Sequence, residues 1–161
     1  IMPSDVRCAA MVSLACSEHS RYELLLKLTR RLGDNPELFE QEISKLTDEG
    51  LQSDRRLAGA FIRARTNRGQ GPVKIKVELR AKQVGDEIIS IAFEECGVDF
   101  AALARSVAVE EFGDELGKVA GIKTLDVETL DIKALDMKTR ARISRFMQQR
   151  GFSYDHISSL Y

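Results

Sequence analysis

The chain has 161 residues, 43% hydrophobic and 30% charged, with three prolines, no tryptophan and a formal net charge of −1. Disorder would need fewer apolar residues and a disulfide scaffold more than three cysteines, so the composition points to one soluble, helix-rich domain with its own core. Cys8, Cys16 and Cys96 are odd in number and widely spaced, no apolar run approaches the ~20 residues that span a bilayer, and no basic-then-apolar leader opens the chain. Free thiols, no membrane and a cytoplasmic location are the expectation.

From Ser4 to Ser17 the apolar or small residues Val6, Ala9, Ala10, Ser13 and Leu14 trace a helical stripe. Ser20 with Glu23 three residues on is a capping-box signature, opening a helix that carries Leu24, Leu25, Leu28 and Leu32 and stops near Gly33. Asn35-Pro36 starts the next, with Leu38, Phe39, Ile43 and Leu46 inward and Gly50 as its stop. Ser53 or Asp54 caps a fourth, in which Leu57, Ala60, Phe61 and Ala64 are expected inward until Gly69 and Gly71 break it. Beyond Gly85-Asp86, Ile88, Ile89, Ala92 and Phe93 form a helix closing at Gly97. Asp99 caps Phe100 to Phe112, with Leu103, Ala104 and Val107 inward, and a final pair runs from Lys138 to Arg150 and from Ser153 to Tyr161.

Val73 to Arg80 gives a conflicting signal. Apolar and polar residues alternate strictly there, which taken alone argues for a strand. A lone strand would leave its backbone groups unpaired. Ile75 and Leu79 stand at i,i+4 behind a Gly71-Pro72 start, and helix is the reading adopted.

The segments repeat. A shift of 51 places Leu24 and Leu28 on Ile75 and Leu79, and a further 68 places Ile75, Leu79 and Lys82 on Ile143, Met147 and Arg150. The expected fold is all-α: one domain of three tandem three-helix repeats (4–50, 53–97 and 98–161), stacked into an elongated, curved array of either hand. An insertion at 113–136 interrupts the third repeat. Its TLDVE, TLDIK, ALDMK pattern, across Thr124 to Lys138, reads as an acidic loop or irregular helix.

Charge is strongly segregated. Residues 1–33 carry +2, 34–54 carry −6, 55–82 carry +8, 83–136 carry −9 and 137–161 carry +4. The positive block holds Arg55, Arg56, Arg63, Arg65, Arg68, Lys74, Lys76, Arg80 and Lys82 against one acid, Glu78. So many like charges repel one another unless something anionic meets them, which makes these nine the candidate partner- or phosphate-binding surface. Arg140, Arg142, Arg145 and Arg150 form a second, smaller basic patch.

Catalytic and metal chemistry find little support. Cys8, Cys16 and His19 lack the close Cys-x-x-Cys pair usual for zinc, and the two thiols read better as small residues on a buried helical stripe. Nothing in sequence around Cys96 would lower its pKa to make a nucleophile with His156. Asp48, Glu49 and Asp54 lack the ligand order of an EF-hand and fit a helix end followed by a cap. Gly69-x-Gly71-Pro72 lacks the Lys-Ser/Thr ending of a phosphate loop and reads as a helix–helix joint. No catalytic residue, metal or cofactor is expected.

Several segments together resemble the RecX family, bacterial regulators of the recombinase RecA: Leu46 to Phe61 (LTDEGLQSDRRLAGAF), RGQGPVKIKVEL within Arg65 to Leu79, Asp99 to Ala104, and Arg150 to Ile157 (RGFSYDHI). SRYELLLKL at Ser20 to Leu28 is similar to the family's first repeat. The likeness covers the chain apart from Gly113 to Asp136. Two departures stand out besides that long insertion. Where the family often has a glycine closing the middle helix, as at Gly151, this chain has Leu32 and Gln83. The resemblance implies a non-enzymatic, monomeric protein that lies in the groove of the RecA filament on single-stranded DNA. There it limits filament extension, ATP hydrolysis, strand exchange and coprotease activity in recombination and the SOS response. The alternative is an independent helical module that binds nucleic-acid phosphates through the second repeat; the sparse aromatics there argue against base stacking.

Overall fold

A computed structural model describes the backbone of residues 1–120 and 136–161 and the side chains of 1–115 and 136–161. Within them the protein is all-α: α1 (Pro3–Cys16), α2 (Arg21–Leu32), α3 (Pro36–Asp48), α4 (Asp54–Asn67), α5 (Pro72–Ala81), α6 (Asp86–Glu95), α7 (Phe100–Ala120), α8 (Met137–Gln149) and α9 (Tyr154–Ser158). None of the described helices is long and apolar enough to cross a membrane. The helix beginning at Phe100 runs eight residues past its expected end at Phe112, through the start of the insertion. Residues 121–135, with most of the five-residue repeat, lie outside the described residues. Asp136, the last residue assigned to the insertion, caps α8 by accepting from Thr139 N–H at 2.7 Å.

The alternating segment is helix. Ile75 and Leu79 are fully buried, while Val73 and Val77, the other half of the alternation, are 49% and 58% exposed. A 3.6-residue period takes i and i+4 inward and turns i+2 outward, which no strand would do. All six residues aligned by the repeat (Leu24, Leu28, Ile75, Leu79, Ile143 and Met147) are buried. In α4 the inward stripe differs from expectation: Leu57, Ala58 and Ile62 are buried, Ala60 and Phe61 half-buried and Ala64 exposed. The two thiols of α1 are a second correction. Val6, Ala9 and Ala10 face the core, whereas Cys8 and, at the last residue of the helix, Cys16 are exposed.

The residues fall into two units, 1–62 with 78–96 and 63–77 with 97–161, so that α4 and α5 contribute to both. In the first, α1, α2 and α3 pack around Val6, Leu24, Leu28, Phe39, Ile43 and Leu46. A polar hub ties their ends. Gln52, 1% exposed, donates to the His19 carbonyl and to Asp54 Oδ1 and accepts from Thr47 Oγ1 at 2.7 Å, while Asp54 Oδ1 also accepts the Arg21 N–H. In the second unit, α7, α8 and α9 enclose Ala104, Val107, Ile143, Met147, Phe152 and Ile157, with Phe112 meeting Phe146 edge to face at 5.2 Å.

The Ser20–Glu23 capping box forms as its signature predicts and gains a second use. Ser20 Oγ accepts the Glu23 N–H and donates to the Lys82 carbonyl, while Glu23 accepts Ser20 N–H at 3.0 Å and Lys82 Nζ at 2.7 Å. The start of α2 therefore holds the end of α5. Burial alone would raise the Glu23 carboxyl, but the bonds from Lys82 and the Ser20 N–H, with the positive charge of Lys82, hold it below the ordinary carboxylate range. A lowered folded-state pKa stabilises the protein above the unfolded value of about 4.3 and loses that contribution as pH falls. Glu23→Gln is expected to cost about 1 kcal/mol at neutral pH, with the difference closing below about pH 4; urea titrations across pH measure it.

Four helix ends share one pattern. The N–H of Gly50, Gly69, Gln83 and Gly151 bonds three residues back, and the N–H of the following residue bonds five back, as Leu51 to Leu46, Gln70 to Arg65, Val84 to Leu79 and Phe152 to Met147. These are Schellman motifs, which need a left-handed residue. The three glycines have φ of 76°, 77° and 91°, and Gln83 follows them at 56°. The departure at Gln83 therefore changes the residue and not the turn. A side chain in this region costs roughly 1–2 kcal/mol, partly offset by glycine's greater freedom in the unfolded chain. Gln83→Gly should stabilise by about 0.5–1 kcal/mol in chemical denaturation.

Candidate interaction surface

The Gly69–Pro72 joint is built by close backbone approach. Gly71 N–H donates to the Arg150 carbonyl and Val73 N–H to the Gly151 carbonyl, both at 2.8 Å, and Arg150 Nη1 donates to the Arg68 carbonyl at 2.9 Å. A Cβ on Gly71 would stand 2.5 Å from the Gly151 carbonyl, and one on Gly151 would stand 2.2 Å from Lys74 Cβ. Only two glycines let the start of α5 and the end of α8 meet this closely. The joint was legible in sequence, but its partner eighty residues away was not.

This joint presents one part of the basic block. Arg63, Arg68 and Lys74 are exposed and meet no carboxylate among the described residues. Arg65 and Lys76 are half-buried in the same unit. The rest of the block belongs to the other unit and is neutralised there. Arg55 pairs with Glu95, Arg80 with Asp86 at 3.0 Å and Lys82 with Glu23 at 2.7 Å, with Lys82 also 5.2 Å from the Phe61 ring centre. Arg56 is the most committed: its Nε meets Glu18 at 2.5 Å and its two terminal nitrogens donate to the carbonyls of Gly50 and Leu51. It satisfies carbonyls at the turn after α3, a role that its place in a charge cluster does not reveal.

The second patch is similarly divided. Arg142 pairs with Glu115 and lies 5.7 Å from the Phe112 ring centre, Arg140 lies 4.4 Å from that of Tyr161, and Arg145 is exposed with no carboxylate among the described residues. Arg150 is fixed by Arg68 and by the Phe146 ring at 5.2 Å. Elsewhere, Cys96 Sγ is bonded to the Phe93 carbonyl, and His19 is buried between the Ser17 carbonyl and Lys27 Nζ. The described residues hold no cluster of three His, Cys, Asp or Glu side chains suited to a metal ion.

Family models describe residues 53–92 as the second three-helix domain of RecX and residues 131–160 as the third. A regulatory protein RecX of Halorhodospira halophila is 38% identical over 152 residues, 94% of this chain and 83% of that one. The chain belongs to the RecX family. Another RecX relative, from Pseudomonas fluorescens, is 36% identical over 155 residues, 96% of this chain and 88% of its own. The crystal structure of RecX from Lactobacillus salivarius shares the fold, with a TM-score of 0.75 at 24% identity over 98% of this chain and 93% of that one. A second RecX crystal structure gives 0.73 at 19% identity, over 98% and 72%. This RecX-family chain is thus similar to proteins named as regulators, and its α4–α5–α6 segment is the one matched as the second three-helix domain.

The glycine contact separates structural from permissive positions. Gly71→Ala and Gly151→Ala should each cost more than about 2 kcal/mol, by overpacking against backbone. Gly85→Ala, where a Cβ meets nothing within 4 Å, is expected to stay within about 0.5 kcal/mol of wild type. Urea midpoints of the three variants decide it.

Proposed function

We propose that this chain regulates by binding, seating in the groove of the RecA filament formed on single-stranded DNA and limiting filament extension, ATP hydrolysis, strand exchange and coprotease activity. One observation carries the reading beyond family membership: Arg63, Arg68 and Lys74 are exposed and meet no carboxylate among the described residues, whereas Arg55, Arg56, Arg80 and Lys82 pair internally. Charge left in solvent without a partner favours an anionic surface and speeds encounter with it. Arg65, between Arg63 and Arg68, and Lys76, beyond Lys74, extend the proposed contact. Single-stranded DNA inside the filament is a second polyanion within the same reading.

The test is a titration of the protein into RecA–single-stranded DNA filaments while ATP hydrolysis is followed. Inhibition is expected at well below one molecule per RecA. The combined Arg63→Glu, Arg68→Glu, Lys74→Glu variant should inhibit at least tenfold more weakly, with its thermal midpoint within a few degrees of wild type. Wild-type protein without effect would contradict the proposal. Binding to bare DNA as tight as to the filament would favour an independent phosphate-binding module, with its steep salt dependence.

A further inference from the structure

A cleft of about 430 Å³ opens in the second unit, beside the Gly69 turn and against α7. Arg68 and Arg150 line it together with Glu110 and Glu111, over the apolar side chains of Leu103 and Val107. Its two carboxylates are exposed and, like Arg68, have no ion-pair partner among the described residues, so both signs of charge stand unspent around one cavity. Arg150 is held in place by the Arg68 carbonyl and the Phe146 ring and keeps further guanidinium N–H groups for a ligand.

We infer that this cleft docks a protein segment carrying both an acidic and a basic side chain, and that the joint therefore meets the protein of the filament and not its nucleic acid. The inference rests on the filament-binding reading and sharpens which component is touched. A phosphate backbone entering here would gain two guanidinium groups and meet two carboxylates, a repulsion that strengthens as water leaves the cleft. A mixed-charge segment satisfies both pairs, covers the Leu103–Val107 floor and is selected against partners of one sign.

The experiment uses full-length protein and fluorescence anisotropy, with two probes: RecA–oligonucleotide filaments and the same oligonucleotide bare. Arg68→Glu and the pair Glu110→Lys, Glu111→Lys are each expected to weaken filament binding about tenfold or more, and the pair is expected not to tighten binding to bare DNA. Glu110→Gln with Glu111→Gln keeps the outcome readable if the reversed pair loses helical circular dichroism; it should weaken filament binding severalfold. Tighter binding of the Lys pair to both probes would overturn the inference in favour of phosphate contact. Unchanged filament binding in the Glu110/Glu111 variants would overturn it as well, while leaving the broader reading standing. Wild-type protein that fails to bind the filament would remove that broader reading and this one with it.

Discussion

Two glycines in contact govern the packing of the second unit. Where Gly71 meets Gly151, the start of α5 donates two backbone hydrogen bonds to carbonyls at the end of α8, at a separation that excludes any side chain. Arg68, Gly69 and Lys74 are placed by that contact, and so is the cleft beside them. The helices could pack otherwise, but no other residue pair would bring the Arg150 and Gly151 carbonyls onto the Gly71 and Val73 amides. Buried backbone groups left unpaired there would each cost about 1–3 kcal/mol.

The first unit solves a similar problem with side chains. A capping box that serves one helix holds the last turn of another through Lys82, and Gln52 links the ends of α3, α2 and α4. The cost of this arrangement is that four cations of the basic block are absorbed by internal partners. What remains for a partner is a narrower set, concentrated in the second unit. Charge segregation in the sequence thus overstated how much of the basic block is left without an internal partner.

Legibility followed the range of the interaction. Caps at Ser20 and Asp99, the stops at Gly50 and Gly69, and the buried i,i+4 pairs were visible because each is decided within a few residues. The alternating Val73–Arg80 run was ambiguous locally and was settled by which members are buried. Pairings such as Arg55 with Glu95 and Arg56 with Glu18, about forty residues apart, leave no local trace. The same holds for the glycine contact. The stripe of α4 was misjudged for a different reason: apolar residues occur on both candidate faces, Phe61 on one and Ile62 on the other, so periodicity alone could not choose between them.

The Gly71–Gly151 contact is a firm part of the fold and positions the proposed surface. Amide hydrogen exchange at Gly71 and Val73 reports on it directly, because both amides donate across the contact. Protection approaching that of the buried α8 amides is expected, with opening only when the unit unfolds. Exchange at these two amides as fast as at freely exposed ones, while α8 stays protected, would contradict it.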